Sequence, residues 1–219
     1  MSDRSSDFGK VRLEALSDGI FAIAMTVLVL TVNAPDFPDS TTNEQVYSKL
    51  SALMPELIAF VASFITLGMY WMTHHLAFRY LVKTDRVVLW LNMYLLLLVS
   101  AVPFTTQLYA GDVDNIIVNT VFGANLILLG ILNYCIWAYS NVQGYLFHDL
   151  TDDDKHFTSR RLLTAPILSC IAMVAAMFQP RFAEIIYFAM VPVFMLTVRP
   201  FWVLKSRKPG NDAEKTSST

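Results

Sequence analysis

The sequence predicts an all-α membrane protein, and three observations carry that prediction. Of its 219 residues, 55% are apolar and only 16% are charged, whereas a soluble domain has about 25% charged and about 45–50% apolar residues. Mean hydropathy is +0.47. Long apolar segments recur along the chain between short polar connectors, and about 20 such residues cross the hydrocarbon core of a bilayer. The expected architecture is six transmembrane helices per subunit, in one domain over residues 1–208, with a disordered cytoplasmic tail over 209–219. No length is left for a soluble catalytic domain. The formal net charge of −2 lacks the basic surplus that binding to a phosphate backbone requires, so no nucleic acid is expected as a partner.

The first helix contains the apolar run Ile20 to Val32 and begins near Lys10, which draws Arg12, Glu14, Ser17 and Asp18 into its first turns. No small-x-small cleavage site precedes Asn33 and apolar segments continue to residue 204, so the run reads as a span and not as a signal peptide. Residues Asn33 to Lys49 carry Pro35, Asp36, Pro38, Asp39 and Glu44 and read as an exposed loop. A second helix starts at Pro55, a residue suited to a first turn, and reaches Trp71. Arg79, Lys83 and Arg86 separate it from a third, Val87 to Phe104, with Pro103 in its last turn, where losing one backbone hydrogen bond costs little. After the acidic turn at Gly111, Asp112 and Asp114, a fourth helix covers Ile116 to Tyr139. The run Asp149 to Asp154 leads through Arg160 and Arg161 into a fifth that ends near Met177. The sixth covers Phe182 to Leu204, with Pro192 inside it as an expected kink.

Lysine and arginine fall mainly at the N-terminus, in the connectors after the second and fourth helices, and at the C-terminus; the other connectors carry only Lys49 and Arg181. The positive-inside rule then places both termini in the cytoplasm, in agreement with an even number of spans. Cys135 and Cys170 both fall mid-helix, where packed apolar side chains are expected and a structural disulfide is not.

Polar groups within spans carry the functional information, because each costs several kcal/mol unless it is paired or wetted. Arg12, Ser17, Asp18, His74, His75 and Asn92 all fall toward the cytoplasmic side, where they can meet in one cluster. The bland alternative is a set of interfacial side chains that snorkel to the headgroups. It suits His75 better than Asp18, which is read as lying inside the apolar stretch, and carboxylates snorkel poorly. The adjacent histidines do not read as a metal site, since neighbours at i and i+1 point to different helix faces. On the first helix Ile23, Val27 and Leu30 form a narrow aliphatic stripe with Thr26 on its flank. Taken alone, such a stripe is ordinary helix packing. On an ideal helix Arg12 projects near the Ile23 face, and Asp18 lies roughly 120° away.

The segment Arg12-Leu13-Glu14-Ala15-Leu16-Ser17-Asp18-Gly19 resembles the R-x-x-x-F-S-D signature of the transmembrane protein 175 family of potassium channels, with Leu16 where that family usually has phenylalanine. The stretch Tyr70-Trp71-Met72-Thr73-His74-His75, then Leu91-Asn92 and Pro103-Phe104, is similar to the second and third helices of the same family. The resemblance implies a homotetramer in which the first helix of each subunit lines a central pore. By position, Ile23 would form the narrowest hydrophobic constriction, Val27 and Leu30 further apolar layers, and Thr26 a hydroxyl beside it. The family's polar network would map onto Arg12, Ser17, Asp18, Trp71, His74 and Asn92.

The implied function is a potassium-permeable cation channel of the plasma membrane, with the bilayer, its own copies and monovalent cations as partners and no cofactor beyond permeant potassium. A T-V-G-Y-G filter loop is absent from the sequence. Selection would therefore rest on partial dehydration at the isoleucine ring, which favours potassium over the more tightly hydrated sodium. The alternative is a proton-coupled or facilitative transporter that uses Asp18 and His74 as a relay; it would lead one to expect an internal repeat, and none is evident. An enzyme is not expected, since no nucleophile, metal site or carboxylate pair stands at workable spacing.

Overall fold

The computed structural model describes residues 4–38, 41–148 and 150–196. Seven α-helices are found there: α1 Arg4–Val27, α2 Asn43–Ala52, α3 Met54–Arg79, α4 Arg86–Gly111, α5 Ile116–Val142, α6 Asp152–Phe178 and α7 Pro180–Leu196. A 3-10 turn, Leu28–Thr31, ends α1. Among the described residues there is no strand, only one isolated bridge between Leu81 and Leu146. Five segments are long and apolar enough to cross a bilayer: Gly9–Thr31 and the helices α3, α4, α5 and α6. The apolar stretch of α7, Phe182–Phe194, is shorter. The expected continuation to Leu204 and the tail over 209–219 lie outside the described residues.

Local signals explain most boundaries. Asp85 caps α4 by accepting from the Val88 amide at 2.9 Å, Asn115 caps α5 through Ile117, and Thr151 caps α6 through Asp154. The acidic run Asp152 to Asp154 forms the first turn of α6, where negative charge opposes the helix dipole, so it belongs to the helix and not to a loop before it. The segment expected as a plain loop holds α2, started by a capping box between Thr42 and Gln45. It has no buried residue and touches α3 alone among the described elements, which is why hydrophobic periodicity gave no sign of it. Several helices also run further than expected: α1 begins at Arg4, six residues before Lys10, α3 continues past Trp71 to Arg79, α4 continues to Gly111, so Pro103 sits in its interior, and α5 ends at Val142.

The helices α4, α5, α6 and α7 pack in succession, while α1 lies against α3 and α4 at the edge of the bundle. Close approach in the core depends on glycine. A Cβ at Gly130 would stand 2.7 Å from the Pro166 ring of α6, and one at Gly123 would stand 2.9 Å from the Tyr187 hydroxyl. Both cysteines are free thiols; Cys170 is exposed and Cys135 half-buried.

Candidate functional site

The faces of α1 divide cleanly. Leu13, Ser17, Phe21, Ala24 and Leu28 are buried against the rest of the subunit, at the three- and four-residue spacing of one helical stripe. On the opposite side Ile23 is 64% exposed, Val27 38% and Leu30 73%, with Leu16 further along the same side. Thr26 is exposed too, and its hydroxyl donates to the Ile23 carbonyl at 2.8 Å. Arg12 is exposed on this side as well, where it lines a groove with Leu16, Leu89 and Met93.

The buried stripe carries a polar network. Asn92 of α4 donates from Nδ2 to Ser17 Oγ at 3.0 Å, and Ser17 donates onward to the Leu13 carbonyl at 2.9 Å. The remaining Asn92 oxygen lies 2.8 Å from His74 Nε2. Because that amide oxygen can only accept, His74 donates and carries its proton on Nε2. All three side chains are buried. The His74 ring stacks on Phe78 at 4.3 Å and faces Phe21 at 5.7 Å, so the polar atoms sit in an apolar sleeve. A fully satisfied network in such surroundings fixes one arrangement of its helices, here α1, α3 and α4.

Asp18 makes a separate contact on the exposed edge, accepting from Trp71 Nε1 at 2.8 Å, and the Trp71 ring stacks on His75 at 5.7 Å. Of the six residues expected in one network, the structure joins Ser17, His74 and Asn92 in one chain of hydrogen bonds and Asp18 with Trp71 in a second. Arg12 takes part in neither. The two histidines have different surroundings, as their adjacent positions require.

Sequence reasoning passed over the ties at the Arg79–Arg86 end of the bundle. Lys10 Nζ donates to the Leu81 carbonyl at 2.6 Å, and the same segment bonds to the stretch that follows α5, through Val82 to Tyr145 and Phe147 to Tyr80. Asp85 accepts from the Tyr139 hydroxyl at 2.7 Å and from Tyr145 at 3.2 Å. Partial burial pushes the Asp85 carboxyl up, but the hydrogen bonds from Tyr139, the Val88 amide and Tyr145 outweigh it and hold the group below the usual carboxylate range. The one sequence signal was an aspartate immediately before a helix. At the opposite end of α1, Glu56 accepts from the Asn33 amide at 2.8 Å and anchors the helix exit to α3.

Long apolar helices around a buried polar network define a multi-span integral membrane protein. The family described as "Endosomal/lysosomal potassium channel TMEM175" matches residues 12–103, which contain both hydrogen-bonded contacts. A potassium channel of Streptomyces collinus is 32% identical over 147 residues, covering 64% of this chain and 69% of that protein. The crystal structure of a lysosomal potassium-selective channel TMEM175 homolog from Chamaesiphon minutus superposes with a TM-score of 0.75 at 26% identity, covering 86% of this chain and 97% of that one. The chain belongs to the TMEM175 family of potassium channels, a family of ion channels and not of enzymes. The endosomal/lysosomal proton channel TMEM175 of Mus musculus is 26% identical over 218 residues, and the chain spans 43% of that protein's length.

Proposed function

We propose that the chain assembles as a homotetramer and conducts potassium and other monovalent cations through a central pore lined by α1. The observation that supports this reading is the outward face of α1. Ile23 and Leu30, seven residues apart, stand 64% and 73% exposed beside a polar network that holds the opposite face rigidly on the subunit. A helix pinned on one side and bare and aliphatic on the other suits a symmetric assembly in which four copies of the bare face meet. In this reading Ile23 is the narrowest ring. It offers no oxygen ligands, so an ion passes only after losing part of its water, and an empty ring closes by dewetting. Thr26 stands one turn on with its hydroxyl on the Ile23 carbonyl, which couples its substitution to the shape of the ring. Six spans then require α7 to complete a crossing, with both termini in the cytoplasm of a plasma-membrane protein.

The relay reading has less support, because Asp18 is bonded to Trp71 and His74 to Asn92 with no hydrogen bond between the two groups. The deciding experiment is ion-driven flux in liposomes containing the purified protein. Potassium flux above sodium flux, with single-channel steps in planar bilayers, is expected. Saturating flux that needs a pH gradient would overturn the channel reading in favour of transport.

A further inference from the structure

A small cavity lies between α3, α4, α5 and α7, at the end of the bundle where the α4–α5 turn sits and away from α1. The space in it for the centre of a water-sized group is about 30 Å³, above the roughly 10–15 Å³ that holds one water molecule. Its polar lining is Ser63, Thr66, Tyr109, Glu184 and Tyr187, beside Ala62 and Phe122. Tyr109 and Tyr187 are 6% and 5% exposed, and neither hydroxyl has a hydrogen-bond partner among the described residues. Buried hydroxyls are nearly always satisfied; the Tyr187 hydroxyl is turned to Gly123 of α5, which does not line the void, so it is the Tyr109 hydroxyl that calls for a bound partner there.

The chemistry of the lining says which kind. Glu184 lies one turn into α7, toward the helix end that favours negative charge, and no ion pair among the described residues engages it. Three rings stand beside it. Tyr109 stacks on Phe122 with centroids 4.9 Å apart, and Tyr187 meets both edge-on at 6.0 and 5.1 Å. A carboxylate, the Tyr109 phenol oxygen and the Ser63 and Thr66 hydroxyls supply oxygen ligands, and aromatic faces attract cations. The rest of the wall is apolar and offers nothing that replaces a hydration shell.

We propose that this cavity binds one small, weakly hydrated monovalent cation, potassium or ammonium, within each subunit. Sodium and lithium, which hold their water more tightly, fit it less well. The site is independent of whether α1 lines a pore, because no residue of α1 takes part in it.

Thermal unfolding of the purified full-length protein in detergent tests this without any flux. Potassium or ammonium chloride is titrated against N-methylglucamine chloride at constant ionic strength. Potassium and ammonium should raise Tm in a saturable way, and sodium less. Glu184→Gln should weaken the apparent affinity by about tenfold or more, the loss of roughly one ligand contact. Tyr109→Phe keeps the ring and removes only the hydroxyl, so it decides the matter if the glutamine variant does not fold, and it should weaken potassium binding severalfold. A potassium shift of equal size in wild type and variants would assign the ion elsewhere, and no cation dependence at all would leave only water in the cavity. Either result overturns the proposal.

Discussion

At Ile23 a β-branched side chain stands 64% exposed at the middle of α1, and its replacement separates pore-lining from lipid-facing roles. Ile23→Asn should wet the ring, raising conductance and lowering the potassium-to-sodium permeability ratio toward unity; an unchanged reversal potential under bi-ionic conditions would remove Ile23 from the pathway. Thr26 makes a narrower case. Its hydroxyl is 2.8 Å from the Ile23 carbonyl, a bond that serves the helix backbone. Thr26→Val removes this second hydrogen bond from a helix carbonyl next to the ring, so the permeability ratio should move while stability changes by less than about 1 kcal/mol. His74 and Asn92 belong to a different category. They are buried, hydrogen-bonded to each other and turned away from the exposed face.

Between elements, the clasp at Asp85 joins the start of α4 to the end of α5, and Lys10 joins α1 to the same segment through Leu81. The Asp85 carboxyl is held below its ordinary value of 3.8. A depressed carboxylate pKa contributes stability that is present above the unfolded value and lost as pH falls through the lower folded value. The clasp therefore holds at neutral pH and should weaken only in the acid window below about 3.8. Asp85→Asn retains a helix cap but loses the charge that the two tyrosines bond to. Its Tm should be lower at neutral pH and should converge with wild type as the pH drops through that window. A constant Tm difference across the titration would show that the charge on Asp85 does not contribute.

For the whole molecule, the exposed side of α1 is one of the apolar surfaces that an isolated subunit leaves uncovered. Arg12 shares that side, so its role bears on contacts between copies more directly than on the Ser17–Asn92–His74 chain. In the proposed tetramer Leu30, 73% exposed, comes near its symmetry mates. Leu30→Cys in a background with Cys135 and Cys170 replaced should form disulfide-linked dimers on mild oxidation in membranes. A cysteine at Leu97 on the exposed side of α4, 66% exposed, serves as the comparison and should cross-link less. Equal cross-linking at both positions would argue against a central α1.

The sequence by itself determined the membrane class, the long apolar helices and the polar motif residues. Those depend on local quantities: the apolar share of each segment, the caps at Asp85, Asn115 and Thr151, and the short signature from Arg12 to Gly19. It did not show α2, since a solvent-exposed helix has no apolar stripe and is started by a capping box alone. Nor did it show how the motif divides. Side chains close in sequence part company on a helix, and only packing decided that Ser17 turns inward to Asn92 and His74 while Asp18 meets Trp71 and Arg12 faces out. The same holds for the cavity at Tyr109, Glu184 and Tyr187. Its lining comes from α3, α4, α5 and α7, and no spacing rule links them, because their proximity is set by how whole helices cross and not by any period along the chain.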